Sequence, residues 1–125
     1  MIRIRVTRRG DGLEVHAVGH AGYAPRGQDV VCAGVSALLY GFVAYLEAIS
    51  SVATAEEPAC QGGRLHWEAS EGDGELRVRT RGYVSRVTEG FAAVEAGIRL
   101  IVRAYPHLVV LEDPISQEGD VYEST

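Results

Sequence analysis

The chain has 125 residues, a formal net charge of −5 and 46% apolar residues. That length supports one hydrophobic core but not two. The acidic balance argues against general nucleic-acid binding, which needs a basic face to displace counterions. All 12 basic residues are arginine, and lysine and asparagine are absent. Both missing types have A-rich codons, so the bias reads as genome composition, and Arg77, Arg79 and Arg81 read as one exposed strand face. No stretch reads as both long and uncharged enough to span a bilayer. The N-terminus also lacks the apolar run of a signal peptide. A cytoplasmic protein without membrane contact is expected, with Cys32 and Cys60 as free thiols.

The first element, "IRIRVTR", alternates Ile2, Ile4 and Val6 with arginines, the pattern of a half-buried strand. Arg9-Gly10-Asp11-Gly12 supplies a turn, and Leu13, Val15 and Ala17 alternate again, which predicts a β-hairpin. From Val30 to Ile49 the period changes. Val31, Val35, Leu38, Phe42, Tyr45 and Ile49 step by helical spacing, while Leu39, Val43 and Leu46 make the other faces apolar too. Such a helix needs cover on more than one side, and a homodimer is expected to supply part of it. After a small-residue connection from Ser50 to Gly63, "RLHWEA" and "ELRVRT" predict a second hairpin turning at Ser70–Gly74, with Leu65, Trp67, Leu76 and Val78 facing in. A second helix is predicted from about Ser85 to Ala104, ended by Pro106, and Leu108–Leu111 reads as a short buried strand.

The order ββα, ββα and a last strand implies an α+β two-layer sandwich, with both helices on one face of a mostly antiparallel sheet. Residues 1–112 form the domain, and the acidic tail 113–125 is expected to fray.

The stretch "GHAGYAPRGQDVVCAGVSAL" (19–38) holds the candidate chemistry. Asp29 is a good N-cap, which puts Cys32 in the first helical turn, where amides and the helix dipole favour a thiolate. His20 follows the second strand, and Gly22 and Gly27 let the intervening loop bend. A strand end and a helix start can then meet as a Cys–His pair. The standing alternative is a thiol that simply packs, since cysteine is among the most buried residue types. His16 competes as a base but lies about 13 Å from His20 along the strand. His66 and His107 read as surface or satisfied residues, and Cys60 as incidental. Ser36 shares the helix face of Cys32 and lines the same site or bonds back to a helix carbonyl. No ligand set at metal-binding spacing is present, so neither metal nor cofactor is expected. A redox role lacks a nearby resolving cysteine. First-turn amides, those of Cys32 or Ala33, are expected to stabilise an oxyanion. The loop Ala21–Gln28 is expected to act as a mobile lid, with Arg26 at its tip.

Gly19-His20-Ala21, Gly27, Asp29, Val30-Val31-Cys32-Ala33 and Val35-Ser36 together resemble the signature of the ribosomal-processing cysteine protease family, Prp. The likeness extends over about 1–111 and includes the helix ending in Tyr105-Pro106. It implies a cysteine endopeptidase with a Cys32–His20 dyad. Gly19, Ala21, Gly27, Asp29, Ala33 and Ser36 would then shape the site or hold substrate. It also implies a homodimer, and a substrate in the N-terminal extension of large-subunit ribosomal protein twenty-seven, cut after an apolar segment ending in two phenylalanines. The rival is a ribosome-associated module that holds a peptide in the same cleft without cutting it.

Overall fold

Alternating apolar residues build the first hairpin, β1 (Ile2–Arg9) and β2 (Gly12–Val18), in which Ile2, Ile4, Val6, Leu13, Val15 and Ala17 are buried on one face. The chain, described by a computed structural model over residues 1–52, 64–82 and 84–113, continues with α1 (Val30–Val52). A second hairpin, β3 (His66–Gly72) and β4 (Glu75–Arg81), leads to α2 (Val84–Ala104) and β5 (Val109–Glu112). Cys60 and most of the connection after α1, together with the tail beyond Asp113, lie outside the described residues.

The sheet order is β3-β4-β2-β1-β5, antiparallel except for the β1–β5 pair, so the sheet is mixed. Both helices cover the face that carries the buried alternation. The other face displays Arg3, Arg5, Glu14, Arg77 and Arg79, tied into exposed ion pairs such as Arg79–Glu14 at 3.1 Å. Exposed pairs of this kind contribute little each, about 0–1 kcal/mol.

The second hairpin is tighter than its composition suggests. Gly72 pairs with Glu75, leaving only Asp73-Gly74 as the turn, with Gly74 at φ +67°. Asp-Gly is the natural choice there, because a two-residue hairpin turn needs positive φ. Trp67 is half-buried, and its indole N–H donates to Ser50 Oγ at 3.0 Å, joining the strand to the last turns of α1.

Helix α1 is apolar on several sides because it has several neighbours. Val31, Val35, Leu39, Phe42, Leu46 and Ile49 are buried, while Leu38 and Tyr45 pack toward α2. Glycines on α2 make room: a Cβ at Gly97 would lie 2.8 Å from Leu38, and one at Gly90 would overlap the Tyr45 ring. This corrects the expectation about bilayer spans. Val30–Ser51, with a mean hydropathy of 1.7, is long and apolar enough to cross a membrane by length and composition. In this structure the face through Val31, Val35, Leu39, Phe42, Leu46 and Ile49 packs into the core. Small and half-polar residues such as Ala33, Ser36 and Tyr40 occupy the exposed side.

Phe42 and Phe91 are fully buried and meet edge-to-face between the helices, ring centroids 5.2 Å apart. Arg8 reaches under α2, its guanidinium 5.6 Å from the Phe91 ring centroid and 2.9 Å from Asp113. Asp113, the first residue of the expected tail, is 1% exposed and so packs as part of the domain. Phe42→Ala should lower the unfolding free energy in urea by about 3–5 kcal/mol, since both the transferred ring and the cavity count.

Candidate active site

The first turn of α1 is organised by one side chain. Asp29 Oδ1 accepts from the amides of Val31 (3.0 Å) and Cys32 (2.9 Å), and Oδ2 accepts from the Tyr23 amide at 3.0 Å. The Cys32 amide, foremost among these donors, holds the Asp29 carboxyl below its ordinary value of 3.8, with Tyr23, Ala24 and Val31 adding to it against some desolvation. The cap therefore starts the helix at Val30 and anchors the preceding loop to it. Two further contacts hold the expected lid in place: Gln28 N–H donates to the Pro25 carbonyl at 2.9 Å, and Tyr23 meets Tyr105 edge-to-face at 5.6 Å.

Cys32 is half-buried, and its Sγ accepts from the Ala21 N–H at 3.2 Å. His20 is exposed and lies one residue past Gly19, whose φ of +106° and tight approach to the Met1 carbonyl leave no space for a Cβ. Gly19 N–H donates to the Gly74 carbonyl at 2.8 Å, which extends the β2–β4 ladder to the second hairpin's turn. That contact sets the imidazole over Gly74. A Cβ on Gly74 would sit 2.7 Å from His20 Nε2, and Nε2 lies 3.8 Å from Asp73 Oδ1.

His20 and Cys32 line one cleft of about 400 Å³ between the start of α1 and the β3–β4 turn. Ser36 and Tyr40 continue its α1 wall, Arg26 reaches it from the loop, and Ile2, Ala17, Val35 and Leu76 give it an apolar floor. Among the described residues, no hydrogen bond joins the His20 ring to the Cys32 thiol. Each has another neighbour, Asp73 and the Ala21 amide respectively. Ala21 is buried beside the pair, whereas Gly27 and Ala33 are exposed on the loop and on the helix.

One other expectation changes, and one weighed alternative drops out. The Cys32 and Ala33 amides are not open to an oxyanion, because the first donates to Asp29 Oδ1 and the second to the Asp29 main-chain oxygen at 3.0 Å. His16 is not on the cleft at all. It points to the open face of the sheet, near Arg77 and 3.7 Å from Glu75.

Residues that sequence reasoning missed are Asp73, Gly74 and Tyr40. Tyr40 donates to Glu71 and so bridges α1 to the end of β3 at one side of the cleft. That bond, with burial and the carboxylate's charge behind it, raises the Tyr40 phenol above its ordinary 10.0. Asp-Gly was legible as a turn, but its place beside His20 comes from β2–β4 pairing across more than fifty residues.

The chain thus places the Cys32 thiol at a capped helix start and the His20 imidazole on the same cleft, on an α+β frame. The family model described as cysteine protease Prp matches residues 1–109, and the chain belongs to that family of ribosomal-processing cysteine proteases. The Mycoplasma pneumoniae ribosomal processing cysteine protease Prp is 27% identical over 118 residues, 94% of this chain and 100% of the relative. The Bacillus subtilis protein of the same name is 26% identical over 112 residues, 87% of this chain and 100% of the relative. The S. aureus ribosomal processing protease Prp, solved with a covalently linked product peptide, superposes with a TM-score of 0.69 at 21% identity. It covers 90% of this chain and 98% of its own.

Two predictions follow from the geometry. Gly74→Ala should cost about 1–2 kcal/mol for the left-handed backbone and push the imidazole aside. Its His20 ring resonances should move in carbon–proton spectra while those of His16 stay. Asp29 has a lowered folded-state value, so its carboxylate stabilises the fold above the ordinary value, and that benefit is lost as pH falls through the folded one. The urea-midpoint gap between wild type and Asp29→Asn should therefore hold constant down to about pH 5 and close at lower pH.

Proposed function

We propose that this chain is a cytoplasmic cysteine endopeptidase that removes the N-terminal extension of large-subunit ribosomal protein twenty-seven. The observation that carries the reading is the shared cleft of His20 and Cys32, with an N–H already directed at the sulfur. Cys32 attacks the scissile carbonyl, and His20 accepts the thiol proton and returns one to the leaving amine. In this role the His20 ring, exposed on the rim, leaves Asp73 and turns to the substrate side of the cleft. The apolar floor suits a segment ending in two phenylalanines, and Arg26 and Asp73 suit its polar flanks. The S. aureus relative was solved with a substrate peptide and with a covalently linked product peptide, which supports a peptide as the occupant.

The test is to incubate the protein with the host's ribosomal protein twenty-seven and weigh the products. Cys32→Ala and Cys32→Ser should abolish cleavage while leaving the fold and peptide binding intact. His20→Ala should reduce kcat by about 10²–10⁴-fold, and His16→Ala should cut at close to the normal rate. Peptide binding without cleavage by wild type would favour the non-catalytic module instead.

The reading includes a homodimer, for which the exposed Val30, Tyr40 and Leu100 side chains are available surface. Light scattering at micromolar concentration should give twice the chain mass, and a monomer would remove this part.

A further inference from the structure

This inference rests on the protease reading and concerns how the site meets negative charge. Acyl transfer needs N–H donors aimed where the carbonyl oxygen becomes an anion. The amides of Val31, Cys32 and Ala33 are already given to Asp29. The Ala21 amide is directed elsewhere, at Cys32 Sγ, 3.2 Å away. We propose that the Ala21 main-chain N–H is the charge-stabilising donor of the site. It meets the Cys32 sulfur in the resting enzyme and passes to the substrate oxygen in the tetrahedral intermediate.

The His20–Ala21 peptide group is held from both sides. Its carbonyl accepts from the Met1 amino nitrogen, and its N–H meets the sulfur. The Ala21 methyl is 2% exposed and part of the core, so the peptide plane does not turn freely. Gly19 at φ +106° and Gly22 at φ +74° bracket the two residues and let the chain make this approach. The donor is thus preorganised, and it comes from the residue next to the base. One short segment delivers both proton transfer and electrostatic support.

The chemistry follows atom by atom. Sγ forms a bond to the scissile carbonyl carbon, the thiol proton goes to His20, and the carbonyl π pair moves onto oxygen. That oxygen is two bonds from Sγ. As the sulfur loses its negative charge on bonding to carbon, its hold on the N–H weakens, and the new oxyanion, two bonds away, takes up the fixed donor. Collapse breaks the C–N bond, and the amine leaves with the proton from His20. Water then adds to the thioester through a second oxyanion at the same place, giving its proton to His20. That proton returns to Sγ as the C–S bond breaks, leaving the free enzyme and a carboxylic acid that gives its remaining proton to solvent.

The decisive experiment replaces Ala21 by lactic acid in the full chain, so that an ester oxygen stands where the N–H was and the methyl stays. A matching ester at Gly82, whose N–H donates to the Asp11 carbonyl at 3.3 Å away from the cleft, controls for a lost main-chain bond. For cleavage of a peptide ending its apolar segment in two phenylalanines, kcat should fall about 100-fold at Ala21, with KM changed by less than about twofold. Alkylation of Cys32 by iodoacetamide at neutral pH should slow several-fold as well. A kcat within about threefold of the control, or a loss confined to KM, would overturn the proposal. The alkylation readout needs no substrate. If wild type does not cut, the protease reading fails, and equal alkylation rates in the two esters would still refute the donor by itself. Should the ester chain not fold, the unmodified protein decides. A peptide aldehyde that forms a thiohemiacetal with Cys32 should move the Ala21 amide proton downfield, and an unmoved resonance would refute the assignment.

Discussion

The Asp29 carboxylate divides its oxygens between two segments, Oδ1 to the first turn of α1 and Oδ2 to the loop at Tyr23. Everything in the cleft depends on that division. A serine or threonine would satisfy the helix amides equally well, but with one oxygen it would leave the Tyr23 amide without this partner. With a carboxylate, the distance between the Ala21 turn and the Cys32 turn becomes a property of one rigid group. The thiol–amide contact of 3.2 Å is the consequence.

The second constraint is the sheet. β2 pairs with β4 in a register that brings Val18 opposite Glu75, and one more rung, Gly19 to Gly74, carries the ladder past the formal strand end. His20 is thereby placed against a turn belonging to the other hairpin. Two glycines permit it for different reasons: Gly19 because the Met1 carbonyl approaches it closely, and Gly74 because the imidazole lies where its Cβ would be. Backbone pairing thus sets the place of His20, and its ring stays exposed beside Asp73. Core burial beneath, through Ala17, Val35 and Leu76, keeps the two walls from drifting apart.

Much of this was legible in the residues, and what was not has a physical reason. Strand alternation in "IRIRVTR" and helical stepping from Val31 to Ile49 depend on local geometry, so the element order and the two-layer arrangement could be read. The capping role of Asp29 is local too. The parallel β1–β5 pair, the Asp73-Gly74 turn beside His20 and the Tyr40–Glu71 bridge are contacts between distant segments, which spacing does not encode. The oxyanion assignment went astray for a different reason. Helix geometry presents free first-turn amides, but a good N-cap consumes them, and the same Asp29 that marks the helix start also withdraws Cys32 N–H from catalysis.

That withdrawal also bears on the Cys32 sulfur, one helical turn from the carboxylate. A bare negative charge beside Cys32 would oppose the thiolate. Here the Asp29 charge is met by the amides of Cys32, Tyr23, Ala24 and Val31, and their dipoles point toward it. Its field at the sulfur is correspondingly reduced, while the Ala21 N–H approaches Sγ from the loop side, where Asp29 makes no claim. The helix start is thus divided by direction: its own amides hold the cap, and the loop's amide serves the thiol. A helix N-terminus alone could not do both, because each N–H donates along one line. The glycine-bracketed turn at His20-Ala21 supplies the additional donor.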